Sequence, residues 1–169
     1  MRKLKAIRTA AELDFDLTQS VYEAICANYR LLEKISIDRF RNEFVKTLSA
    51  SHAGKGLGLI MDTGIINLVL GDEVVKKLTR REKSDLVVLS QNIDRSKQVP
   101  ERRLGLFYIT MDKKRAMPSI EKFNFDSKTR QHLVDAVSDM AKLYFTSTKE
   151  MLKKFIYERG MDRYNYLAN

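Results

Sequence analysis

From Leu4 onward, apolar side chains return every three or four positions, and no stretch alternates apolar with polar residues strongly enough to read as a strand. Leu4, Ile7 and Ala11 share one stripe, Ile37, Phe40, Phe44 and Leu48 a second, and Leu133, Ala136, Val137, Met140, Leu143 and Tyr144 a third. A rhythm of that kind, kept up along the chain, predicts an all-α protein of about nine or ten helices with no sheet. Seven Gly and two Pro among 169 residues leave no disordered tract to interrupt it.

Short polar residues and breakers place the boundaries. Residues 2–15, 16–35 and 36–48 read as three successive helical stretches, the third opening near Ser36 and showing Arg39, Arg41 and Lys46 on its polar face. Asp16 with Gln19, Thr79 with Glu82, and Ser147 with Glu150 have the spacing of a capping box, in which two side chains satisfy orphan amides reciprocally. Gly64 should end a helix that follows Ser51, in the left-handed conformation that suits glycine, and Gly71 should divide residues 65–78 into one or two short helices. A helix from Arg80 to about Ile93 would bury Leu86, Val87, Leu89 and Ile93. Pro100 fits the first turn of the next helix, in which Leu104, Leu106, Phe107, Ile109 and Met111 are broadly buried. Pro118 predicts a kink or a fresh helix start near it. Asp126 or Ser127 opens the most regular helix, and a last one runs from Thr148 through Met151, Leu152, Phe155 and Ile156 to Gly160.

The chain carries 31 Lys and Arg against 22 Asp and Glu, a net charge of +9 that favours a polyanionic partner. Arg2, Lys5 and Arg8 form a basic rail beside the apolar seam of the first helix. Lys76, Lys77, Arg80, Arg81 and Lys83 form a second cluster, and Lys55 is a further candidate for the phosphate backbone of RNA. No array of aromatics suited to stacking bases accompanies them. The apolar seam, if left uncovered, would serve to pair with another chain.

Other chemistries find little support. His52 and His132 lie far apart with no ligand pattern around them, so no metal site is expected, and no Ser or Cys sits in a nucleophile signature. Cys26 on an apolar helix face reads as a small core residue, and a lone thiol suits a reduced compartment. Gly54-Lys55-Gly56-Leu57-Gly58 meets neither phosphate-loop spacing and is read as close helix packing. Glu12, Asp14 and Asp16 interrupt the segment where a signal peptide would be apolar, and Leu57 to Leu70 is too short and too broken to span a bilayer. A cytoplasmic protein with no membrane segment is expected.

Leu-Lys-Ala-Ile-Arg at 4–8, Ala-Glu-Leu-Asp-Phe at 11–15, Leu-Leu-Glu-Lys-Ile-Ser at 31–36 and Asp-Arg-Phe-Arg-Asn-Glu-Phe-Val-Lys at 38–46 together resemble the neck of class II tRNA nucleotidyltransferases, the CCA-adding enzymes and their bacterial poly(A) polymerase relatives. Residues 51–66 are similar to the stretch that follows in that family. The likeness is specific over residues 2–66 and loose beyond. Thr9 stands where the family usually has Phe, and Asp14 where it usually has Gly.

The resemblance implies a neck at residues 1–66 and a helical body at 67–169, together the non-catalytic part that supports a catalytic head and holds tRNA or another structured RNA. In the family, Mg2+ and its paired carboxylates belong to that head. Nothing like it is found in these residues, so no catalytic residue and no cofactor are assigned, and the chain alone is predicted inactive. Arg2 falls on the arginine of the family's Glu-Asp-x-x-Arg motif, so Arg2 and more weakly Arg8 would neighbour the incoming nucleotide. The Glu-Asp would then lie upstream of residue 1, which fits either a piece of a longer enzyme or a headless paralogue. The partners expected are RNA and, at the neck, the head or another chain. The alternative reading is a free-standing helical module that binds protein or RNA.

Overall fold

The computed structural model describes residues 2–144. Ten α-helices and no strand occur among the described residues: α1 Arg2–Leu13, α2 Gln19–Asn28, α3 Ile37–Leu48, α4 Ala53–Asp62, α5 Ile66–Leu70, α6 Asp72–Lys77, α7 Arg80–Asn92, α8 Pro100–Tyr108, α9 Lys113–Lys122 and α10 Ser127–Tyr144. The fold is therefore all-helical. The side chains of Met140, Leu143 and Tyr144, the capping pair Ser147 and Glu150, and the helix expected from Thr148 to Gly160 lie outside the described residues.

The seam of α1 is internal. Leu4, Ile7, Ala10 and Ala11 are fully covered by α3 and α4, so the stripe expected to offer itself to another chain is already used within this one. From α3, Phe44 meets Phe107 of α8 edge-on at 5.2 Å and Phe123 beyond α9 at 5.8 Å, while Phe40 stacks on Phe123 at 5.9 Å. These rings are the large apolar units of a core that runs without a break from Leu4 to Val137. Residues on both sides of position 66 contribute to it.

Several boundaries follow their local chemistry. Thr79 and Glu82 form a complete capping box at the start of α7. Gly64 and Gly71 take φ values of +81° and +95°, one closing α4 and the other separating α5 from α6. Pro100 occupies the first turn of α8, and Asp126 accepts the Thr129 amide at 3.0 Å as α10 begins.

Others depart from expectation. Asp16 caps nothing: α2 starts at Gln19 after Thr18, and Asp16 turns instead to Lys55 at 3.1 Å. The stretch 16–35 is not one helix, because after Asn28 it tightens into a 3-10 helix, Tyr29–Lys34, that buries Leu32. Pro118 starts no helix. Asp112 accepts the Arg115 amide at 3.0 Å and begins α9 there, with Pro118 held inside it by the burial of Ala116, Ser119 and Ile120. Val87 is 47% exposed, since α7 turns Leu86 to the core instead, and Ile93 is buried in the 3-10 turn that follows. Arg41 is not on a free polar face but donates to the carbonyls of Phe123 and Asn124, both at 2.8 Å.

The glycines of α4 make the closest approaches. A Cβ at Gly54 would lie 2.1 Å from the Ser90 carbonyl oxygen of α7, and one at Gly56 would lie 2.5 Å from Thr47 Cγ2 and 2.9 Å from Ala11 Cβ, whereas Gly58 faces open space. Gly54→Ala should therefore destabilise by about 1–3 kcal/mol through overpacking against backbone that cannot yield. Gly58→Ala should stabilise by about 0.5–1 kcal/mol, the helix-propensity gain alone. Denaturant unfolding of the two variants checks the contrast, and equal effects would mean that α4 and α7 are not in such close contact.

Candidate nucleic-acid interface

On an α-helix each step of three residues falls short of a full turn by about 60°, so a row of cations at i, i+3 and i+6 drifts around the cylinder. Along α1, Arg2 and Lys5 stay exposed while Arg8 has swung towards α3. Its side chain is 16% exposed and lies 3.6 Å from Glu12 and 3.4 Å from Glu43, a carboxylate that would otherwise be buried unpaired. The rail thus loses its third member. Arg8 is spent on the α1–α3 contact and is not presented beside Arg2.

Lys55 is also engaged. Its ammonium lies 2.8 Å from Asp14 and 3.1 Å from Asp16, clamping the α1–α2 connection onto α4. The Gly54 amide donates to Asp94 Oδ1 at 3.1 Å, so a side chain already fills the position a phosphate would take in a glycine loop. Close packing, as the sequence suggested, accounts for Gly54 and Gly56 but not for Gly58.

The cluster at residues 76–83 is different. Lys76, Lys77, Arg80, Arg81 and Lys83 are all exposed around the junction of α6 and α7. Lys76 pairs with Glu73 at 2.9 Å and Arg81 with Asp85 at 3.7 Å, but Lys77, Arg80 and Lys83 make no ion pair among the described residues. Lys76 and Lys77 close α6, where the helix macrodipole is negative and cations are stabilising. Arg80, Arg81 and Lys83 open α7, where it is positive and they are not.

Under this junction lies Glu82, only 7% exposed. It accepts from the Thr79 amide and hydroxyl at 2.8 Å each, from the Asp112 amide at 2.9 Å and from Arg115 Nη1 at 3.1 Å. Arg115 Nε donates in turn to the Lys77 carbonyl at 3.1 Å, and its other contact is with Asp112. The start of α9 is thereby fixed beside the start of α7, which brings the exposed Lys113 and Lys114 to the same edge. Sequence reading missed these two; the run Lys113-Lys114-Arg115 was the available signal, and only the fold shows that it adjoins the earlier cluster.

The described clefts look unlike a polyanion site. The one of about 460 Å³ is lined by Glu101, Asp126, Lys128, Thr129 and His132, a mixed set of charges. Among the described residues no three His, Cys, Asp or Glu side chains converge as a metal site, and no helix is long and apolar enough to cross a membrane.

Residues 14–75 match the family described as "Probable RNA and SrmB- binding site of polymerase A". The chain is 38% identical over 71 residues to the CCA-adding enzyme of Lactobacillus johnsonii, a match that covers 42% of this chain and 18% of the relative. It is 43% identical over 63 residues to the CCA-adding enzyme of Streptococcus thermophilus, covering 37% and 16%, and 36% identical over 80 residues to that of Lactococcus lactis subsp. lactis, covering 46% and 20%. The shared stretch is homologous to the neck and body of CCA-adding enzymes. The matches span about a fifth or less of the length of these relatives. No solved structure matches the chain.

Set beside CCA-adding enzymes, the odd residue at position 14 acquires a physical meaning. Asp14 follows the last turn of α1 with φ +54°, a left-handed conformation that glycine adopts freely and aspartate only tolerates. Lys55, hydrogen-bonded to it, holds its carboxyl below the usual aspartate range, and His52 lies 3.7 Å away. A carboxylate with a depressed pKa contributes stability at neutral pH that is lost as the pH falls below its ordinary value near 3.8. Asp14→Asn, which keeps the backbone tolerance but not the charge, should melt below the wild type at pH 7, and the gap should close as the pH drops below that value. Asp14→Ala should melt lower than Asp14→Gly at every pH. Thermal melts across that range check both orders.

Proposed function

We propose that this chain is the RNA-holding, head-supporting part of a CCA-adding or related tRNA nucleotidyltransferase. The observation that carries this reading is the match of residues 14–75 to the RNA-binding family, on a helical frame in which the end of α6 and the start of α7 expose Lys77, Arg80 and Lys83 without acidic partners among the described residues. In this reading Arg2, exposed on the first turn of α1, is the residue that neighbours the nucleotide, and Lys5 is its companion on the same side. Arg8 and Lys55 act as structural clamps and reach RNA only indirectly. The α6–α7 edge holds phosphate.

The runner-up, a free-standing module that pairs through its first helix, draws less support because Leu4, Ile7 and Ala11 are already covered. Recognition through phosphates should be steeply salt-dependent and weakly sequence-dependent, since side chains cannot enter the deep, narrow major groove of an RNA helix. Titration of the chain with tRNA at several salt concentrations tests this. Each neutralised phosphate adds roughly 0.7–0.9 to the log-log slope, so replacing Lys77, Arg80 and Lys83 together by Ala should flatten it by about two units. No binding by the wild type at low salt would overturn the reading, and an unchanged slope in the triple variant would move the contact to another face.

A further inference from the structure

Resting on the RNA-holding reading, we propose that Lys113 and Lys114 join the α6–α7 edge in one phosphate-contacting surface for double-helical RNA, and that Glu82 is the positioning residue that keeps its two halves together. The surface lies outside residues 14–75, so the family match does not assign it.

The first argument is placement. Glu82 bonds at once to the cap of α7 through Thr79 and to the start of α9 through the Asp112 amide and Arg115, and Arg115 reaches across to the Lys77 carbonyl. Two helix starts that are 33 residues apart in sequence at Glu82 and Arg115 are thus one structural unit. Lys113 and Lys114 are exposed on it, and neither makes an ion pair among the described residues.

The second argument is energetic. The first turn of α7 holds Arg80, Arg81 and Lys83 against the single acid Glu82, and the first turn of α9 holds Lys113, Lys114 and Arg115 with no acid. Of these, Arg80, Lys83, Lys113 and Lys114 oppose the helix macrodipole and make no ion pair among the described residues, so folding gains nothing from their charge. Both starts make the same local sacrifice at the same edge. An external polyanion is the partner that turns the cost into a gain.

The third argument concerns which RNA. Segments 76–83 and 112–115 contain no Phe, Tyr or Trp, hence no platform on which unpaired bases could stack. What remains is contact with backbone, and double-helical RNA is read largely by its shape, phosphates and 2′-hydroxyls.

The test is a salt titration of the 169-residue chain with a short blunt RNA duplex and with single-stranded oligouridylate of equal phosphate count. For the duplex, Lys113→Ala with Lys114→Ala should flatten the log-log slope by about 1.5 without lowering the melting temperature. Glu82→Gln separates positioning from simple charge, because it raises the net charge by one. Electrostatics alone then requires tighter binding, whereas loss of positioning requires weaker binding, and severalfold weaker is expected. Should that variant melt near the assay temperature, Arg115→Lys keeps the charge, loses the two-pronged contact and should weaken duplex binding likewise. An unchanged slope in the double lysine variant, tighter binding by Glu82→Gln, or a preference for oligouridylate would each overturn the inference while leaving the RNA-holding reading in place. Failure of the wild type to bind any RNA, tRNA included, would sink both.

Discussion

A buried guanidinium ties the middle of the matched stretch to the rest of the chain. Arg103 of α8 is wholly enclosed, and it donates to the carbonyls of Leu48 at 3.0 Å, Ala50 at 2.5 Å and Ser96 at 3.1 Å. Removing such a charge from water costs several kcal/mol, and burial accordingly lowers its pKa, with nearby Asp94 acting the other way. Three charge-assisted hydrogen bonds offset that cost only while the end of α3, the turn after it and the loop before α8 keep their places. Asp94 extends the arrangement to α4 through the Gly54 amide.

Because those backbones are drawn together, α4 must lie almost against α7, and glycine at position 54 becomes a requirement. The position of α7 then sets where its first turn emerges, and Glu82 transmits that to α9. The basic edge is thus the surface expression of contacts made deep in the core.

Much of this was legible in the sequence. The helical rhythm, the Thr79–Glu82 box, the left-handed Gly64, the break at Gly71 and the start of α10 rest on local chemistry and came through. What was not legible depended on neighbours brought in from elsewhere. Asp16 has the spacing of a cap, yet Lys55 of α4 competes for its carboxylate. Arg8 has the spacing of a rail, yet helical drift and Glu43 draw it inward. Arg41 reads as surface because no spacing rule reveals the open carbonyls of Phe123 and Asn124, some 80 residues away. For the same reason Lys113 and Lys114 passed unnoticed, and Asp14 looked like a lapse in the pattern until its backbone angle explained it.

The opposed cations at the starts of α7 and α9 also bear on how the molecule is held together when alone. Anything that binds the folded form and not the unfolded one stabilises it by mass action. A polyanion settling on this edge would do more than occupy a surface: it would remove a repulsion written into two helix ends. Binding and stability are then coupled at this edge, where a bound polyanion would add to the hold that Thr79, Glu82 and Arg115 already give the first turns of α7 and α9.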